Sequence, residues 1–292
     1  DDAWGAFDLA HVLSSPAIVY NRAGTNGVGG PVYVHATDAI GNNWGSPVQI
    51  DDNGAGVAYN GISINIVGVK PAVAYSGSNE DLFFCRADSI SGDAWGAVQL
   101  LDNNLWGQPT LISTSAADPP SILCMYSSNI FFPAFRPSRI SADDANGAAW
   151  NPISGISSEV GNTSSDGFIV NNVPAIVYKT NQGVLYQRAG DADATFWQDP
   201  VVLYNPPSWN ADHFNLVLIA GIPCVAFEDG YNGWVIFIKA NDALGNSWFP
   251  AEVVDMRDRC GRGCSLAEFN GAPLLAYGCF DSKELRVAYL AP

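Results

Sequence analysis

The short motif Pro-x-x-x-aromatic, with apolar residues between its ends, constrains this chain more than any other feature. It reads Pro16-Ala-Ile-Val-Tyr20, Pro71-Ala-Val-Ala-Tyr75, Pro174-Ala-Ile-Val-Tyr178, Pro223-Cys-Val-Ala-Phe227 and Pro273-Leu-Leu-Ala-Tyr277, and a longer copy runs from Pro120 to Tyr126. Successive prolines are 55, 49, 54, 49 and 50 residues apart. A fixed period of this size marks a repeat architecture. A second motif trails the first: Asp38, Gly41 and Trp44 recur as Asp144, Gly147 and Trp150 and as Asp242, Gly245 and Trp248. Asp88 to Trp95 carries one extra residue, and Asp191 to Trp197 has Ala194 in place of the glycine.

Between these landmarks each unit reads as four short strands. In the second unit they are expected near 62–69, 72–75, 82–86 and 97–100. Four strands per period of about 50 residues match the blade of a β-propeller. The fold class expected is all-β, a six-bladed propeller of four-stranded antiparallel blades, with residues 1–292 as one domain. The near-continuous apolar character of the Pro-x-x-x-aromatic strand predicts burial on both faces. Proline at its first position removes no ladder bond.

Trp4 lies 12 residues before Pro16, as Tyr59 lies 12 before Pro71, whereas Trp106 and Trp209 lie 14 before their prolines. These four aromatics therefore mark the start of innermost strands, and residues 5–12 are the first strand of blade one. The chain ends just after the third-strand segment 285–290. The last blade is thus expected to lack its outer strand, because the blade is natively short, the chain was trimmed or a partner supplies the strand; in the last case Leu285, Val287 and Tyr289 form an assembly edge open to strand addition.

The Asp-x-x-Gly-x-x-Trp turn resembles the Asp-box of bacterial neuraminidase repeats, although its spacing is longer by one residue. The resemblance covers the turns of five units and implies a propeller with structural turn residues. It does not carry sialidase activity. Of the arginines, tyrosine and carboxylates that such an enzyme needs, only Phe135-Arg136-Pro137 offers an echo. Glu228-Asp229, after the second strand of blade five, could supply paired carboxylates for glycoside hydrolysis. His11, His35 and His213 are scattered, with His11 and His213 near inner strands. No phosphate loop, nucleophile elbow or zinc-helix motif occurs, so the chain is not expected to be an enzyme.

The net charge is −16, and charged residues make up only 14% of the chain. With no basic stripe, nucleic acid is a poor partner. No membrane insertion is expected, because no apolar run reaches spanning length. Arg257, Arg259 and Arg262 form the one basic cluster. Cys260 and Cys264 flank Gly-Arg-Gly and could close a small disulfide loop, while Cys85, Cys124 and Cys224 read as buried apolar residues. No cofactor is expected, with structural Ca²⁺ at the Asp turns as the alternative.

Two functions fit these features best, with a sialidase-like or other glycoside hydrolase as the further alternative. The first is an extracellular or cell-surface binding and adhesion module for glycans, using Trp4, Tyr59, Trp106 and Trp209 as stacking platforms. The second is a structural subunit that associates with itself through the incomplete blade.

Overall fold

The computed structural model describes residues 3–22, 29–51, 57–77, 81–103, 107–127, 134–205 and 211–290. It is all-β, a six-bladed β-propeller. Blade one is β1 (Ala3–Val12), β2 (Ser15–Arg22), β3 (Gly30–His35) and β4 (Val48–Gln49). Blade two is β5 (Val57–Val67), β6 (Lys70–Gly77), β7 (Leu82–Arg86) and β8 (Gln99–Asp102). Blade three is β9 (Thr110–Ile112), β10 (Ser121–Tyr126), β11 (Arg136–Ser141) and β12 (Ser154–Gly155). Blade four is β13 (Gly161–Val170), β14 (Val173–Thr180), β15 (Gly183–Arg188) and β16 (Val201–Tyr204). Blade five is β17 (Ala211–Ile219), β18 (Ile222–Asp229), β19 (Trp234–Lys239) and β20 (Glu252–Asp255). Blade six is β21 (Cys260–Phe269), β22 (Ala272–Cys279) and β23 (Glu284–Tyr289). Every sheet is antiparallel in sequence order, and blade six has three strands among the described residues. Two compact units divide the chain, Asp1–Gly155 with blades one to three and Ile156–Pro292 with blades four to six.

In blades two to five the second strands bear out the reading of the proline motif, whereas in β2 and β22 buried residues alternate with partly buried ones. Every residue of β14 is buried, and every residue of β6 but its first. The motif proline uses its carbonyl in each blade: Pro16, Pro71, Pro120, Pro174, Pro223 and Pro273 accept the N–H of Ala36, Ala87, Ala142, Ala189, Ala240 and Leu290 at 2.8–3.0 Å. Proline thus starts the strand without wasting a donor and still closes the ladder with its acceptor. In blade three this register corrects the sequence reading. Cys124, opposite Ser138, occupies the aromatic position that Tyr20 holds opposite Val32, and Tyr126 lies two residues further on.

The Asp-x-x-Gly-x-x-Trp segments are turns between third and fourth strands. The Asp38 carboxylate accepts the backbone N–H of Ile40, Asn42 and Asn43 at 2.7–3.1 Å. Asp144 takes Asn146, Ala148 and Ala149, Asp191 takes Thr195, and Asp242 takes Leu244, Asn246 and Ser247 in the same manner. These N–H bonds favour the ionised form, so the Asp38 and Asp242 carboxyls are held below the usual range. The assignment of Asp88 to this role is wrong. Asp88 occupies the place of Thr37, donating its N–H to Ala94 as Thr37 does to Asn43. The acceptor in blade two is the Ser89 hydroxyl, which takes the N–H of Asp93 at 2.9 Å. The extra residue therefore lies outside the turn, and serine does the work of aspartate.

The turn tryptophan bonds locally and packs on the preceding blade. Trp44, Trp95, Trp150 and Trp248 donate Nε1–H to the carbonyls of Gly41, Gly92, Gly147 and Gly245 at 2.8–3.0 Å. Trp95 meets Tyr33 edge-on at 5.3 Å, Trp150 meets Phe84 at 4.8 Å and Trp248 meets Tyr186 at 5.1 Å. The same tyrosines reach across with their hydroxyls, Tyr33 to Ser91 and Tyr186 to Leu244.

A third linkage joins the innermost strands. The residue eight before the motif proline is polar in five of the six blades, and four of these side chains bond to the next blade. Asp8 accepts from Ile64 N at 2.9 Å, Ser63 from Leu111 N at 3.1 Å, Asp166 from Leu216 N at 2.7 Å and Asn215 from Leu266 N at 3.3 Å. At Asp8 burial outweighs these bonds and pushes the carboxyl up to about 6. A raised acid binds more protons folded than unfolded, so its ionisation removes stability as pH rises from about 4 to about 6. Asp8→Ala cancels that loss along with the hydrogen bonds. Its cost in urea unfolding is therefore expected to shrink by about 3 kcal/mol between pH 4 and pH 7. A pH-independent cost would contradict the assignment.

Candidate functional site

One face of the blades gathers the features that sequence reading singled out. In five of the six blades the first strand begins where the second strand ends: Ala3 opposite Arg22, Val57 opposite Gly77, Gly161 opposite Thr180, Ala211 opposite Asp229 and Cys260 opposite Cys279. The loops entering the inner strands and those leaving the second strands therefore share this face, as expected.

Here all five of these first strands bulge. The register slips between Ala3 and Phe7, Val57 and Ile62, Gly161 and Ser165, Asp212 and Asn215, and between Cys260 and Ser265. A bulge adds residues on one strand only and re-aims their side chains. The alternation of a strand carries no mark of it, so the sequence did not reveal it. Trp4 lies in the blade-one bulge and Tyr59 in the blade-two bulge, although their side chains lie outside the described residues. Trp106 and Trp209 lie outside them entirely.

The described chemistry concentrates in blade five. His213 adopts φ +56° within the bulge, a conformation that histidine tolerates better than most residues. Its Nδ1 lies 3.0 Å from Glu228 Oε2, with the imidazole 45% exposed and the carboxylate 13%. Neighbouring blades hold the bulge. Asn162 of blade four donates to Ala211 O at 3.2 Å and to Asp212 Oδ1 at 3.3 Å. The Cys264 thiol of blade six donates to His213 O at 2.9 Å. Burial, with the Glu228 charge nearby, raises the Asp212 carboxyl above its ordinary range.

Several sequence expectations change. Glu228 and Asp229 do not act as a pair. Asp229 is fully buried and accepts from Tyr204 OH at 2.8 Å, from Asn232 Nδ2 at 2.8 Å and from the N–H of Tyr231. It organises a turn while Glu228 faces His213. His11 pairs with Pro16 near the far end of β1, away from the bulged end that His213 occupies in β17. His35 is tied to Val12 O at 2.9 Å.

The disulfide also differs from the expectation. It joins Cys260 to Cys279, and Cys264 is a buried free thiol pushed up to about 12 by burial. Cys260 and Cys279 are cross-strand partners of β21 and β22, which brings their side chains together. The basic cluster is engaged by the chain's own acids. Arg257 bonds Asp255 Oδ1 at 3.1 Å, and Arg259 pairs with Asp281 and lies over the Phe280 ring. Arg286 reaches Asp255 at 3.0 Å, and these cations hold the Asp255 carboxyl down to about 2 despite its burial. The Arg262 side chain lies outside the described residues. At the end strand β23, Leu285, Val287 and Tyr289 are 77%, 62% and 54% exposed.

No known protein family and no curated protein sequence matches the chain. Solved structures do share its architecture. The six-bladed fungal lectin of Aleuria aurantia, described with a novel fucose recognition mode, superposes with a TM-score of 0.61 at 11% identity, covering 99% of this chain and 92% of the lectin. A mutant of AofleA from Arthrobotrys oligospora gives 0.64 at 10% identity over 99% and 83%. The α-L-arabinofuranosidase Arb93a from Fusarium graminearum gives 0.63 at 10% identity over 99% and 92%. At these identities the likeness establishes the fold.

Proposed function

We propose that the chain is a non-catalytic, extracellular glycan-binding propeller. The observation that carries this reading is the recurrent bulge at the start of five first strands. It recurs at the same end of the strand with differing lengths and carries unrelated residues, Trp4 in one blade and His213 in another. A recurring position bearing variable residues suits recognition. Aromatic faces and polar tips together suit sugars, which present apolar faces and rings of hydroxyls. A fucose-recognising lectin with the same architecture supports the choice of ligand. The arabinofuranosidase likeness keeps hydrolysis as a competing outcome, but the commitment of Asp229 to its turn and of Glu228 to His213 favours binding.

Titration with fucosylated and arabinosylated oligosaccharides is expected to change tryptophan emission saturably, and Trp209→Ala to weaken the response about tenfold or more. A flat titration for every sugar overturns the proposal. Self-association along β23 is the second reading, favoured by exposed Leu285, Val287 and Tyr289. The titration is therefore run where light scattering reports the 31.0 kDa chain mass.

A further inference from the structure

Repetition makes exceptions visible. The residue immediately after the motif aromatic position is Asn21, Ser76, Met125 and Gly278 in four blades, but Lys179 and Glu228 in blades four and five. Lys179 is buried, at 3% exposure, and the Glu228 side chain is partly buried, at 13%. Burying charge costs several kcal/mol unless partners offset it, and the fold accepts neutral residues at this position elsewhere. A second exception adjoins the first, because the β17 bulge brings two consecutive ionisable residues, Asp212 and His213, to the same place.

The partners of this cluster do not saturate it. Asp212 uses Oδ1 for Asn162, Glu228 uses Oε2 and His213 uses Nδ1. Asp212 Oδ2, Glu228 Oε1 and His213 Nε2 carry no hydrogen bond among the described residues. Asn162 from blade four and Cys264 from blade six fix the backbone around them. The bulge is thus held from both sides while three polar atoms remain available.

We propose that the blade-five bulge, with Asp212, His213 and Glu228, is the principal saccharide site and binds one neutral sugar per chain. With Nδ1–H donating to Glu228, the neutral imidazole leaves Nε2 as an acceptor, and it and the two carboxylate oxygens accept from the ring hydroxyls. The same two carboxylates repel acidic sugars, so selectivity is for uncharged rings. The proposal rests on the glycan-binding reading and sharpens it from a face repeated in several blades to one asymmetric site.

Native mass spectrometry with fucosyllactose and arabinotriose as neutral probes, and sialyllactose as the acidic one, tests the site. One neutral probe per chain, no sialyllactose, and about tenfold weaker binding for Glu228→Gln and His213→Asn are expected. Glutamine preserves shape, and asparagine tolerates the left-handed backbone, so unchanged thermal melting verifies that both variants fold. Two or more probes per chain, or variants within twofold of wild type, overturn this site and leave the broader reading standing. Binding of no probe by the wild type overturns both.

Discussion

Gly245→Ala is expected to destabilise the protein by about 3 kcal/mol, far more than Gly221→Ala. Both glycines have positive φ, +74° and +78°, so each alanine meets a backbone penalty of about 1 kcal/mol. Their surroundings differ. A Cβ at Gly221 meets nothing within 4 Å, whereas at Gly245 it lies 2.6 Å from Tyr186 Cε1. Tyr186 cannot retreat, because it is buried, its hydroxyl bonds Leu244 O at 3.0 Å and its ring packs on Trp248. Overpacking adds about 2 kcal/mol. Gly92 repeats the arrangement against Tyr33, with a Cβ distance of 2.4 Å. Equal losses at Gly245 and Gly221 in chemical denaturation would mean that the turn glycines serve conformation alone, and that the blade-to-blade ring contact is not rigid.

Breaking the Cys260–Cys279 bond is expected to cost about as much. The two cysteines are 19 residues apart, and closing a loop of that size stabilises by about 3 kcal/mol through the unfolded chain. Cys279→Ala should lose that amount. Cys264→Ser should lose about 1 kcal/mol, since a hydroxyl can still donate to His213 O. Peptide mapping without reduction should return one crosslink, between 260 and 279, with Cys264 alkylated only after unfolding. A larger loss at Cys264 than at Cys279, or a crosslink at 264, would restore the pairing across Gly-Arg-Gly that sequence proximity suggests.

The contrast between those two pairings shows what the sequence can carry. Blade count and strand order follow from periodic prolines and tryptophans, because each blade repeats the same strand pattern. Proximity along the chain misled at Cys260, since β21 is extended there and its neighbour in space is the facing residue of β22. The serine at 89 was hidden for a similar reason. An aspartate one position earlier fitted the motif better than the geometry did. The inter-blade bonds of Asp8, Ser63, Asp166 and Asn215 were not legible either, for a single polar residue in an alternating strand looks like a solvent-facing one. Tyr75 and Tyr277 add a related case. Their hydroxyls bond Asp51 at 2.7 Å and Asp255 at 3.2 Å, while Phe227, lacking a hydroxyl, packs on Tyr204 at 5.5 Å instead. The exchange of Tyr–Asp for Phe–Tyr becomes readable only once the register is known.

The candidate site was legible in outline. Aromatics ahead of the inner strands drew attention to the starts of the first strands, but the bulges and the Asp212, His213 and Glu228 cluster needed coordinates. A bulge places residues that are neither in phase nor adjacent in sequence within bonding distance. His213 and Glu228 are 15 residues apart and on different strands.

Binding without turnover is the central claim, and one array experiment tests it most directly. Wild-type protein is applied to immobilised fucosylated, arabinosylated and acidic glycans, and each bound glycan is then analysed by mass spectrometry. Retention of at least one neutral class, with the glycan recovered intact, is the predicted result. Retention of none, or release of shortened products, would contradict it.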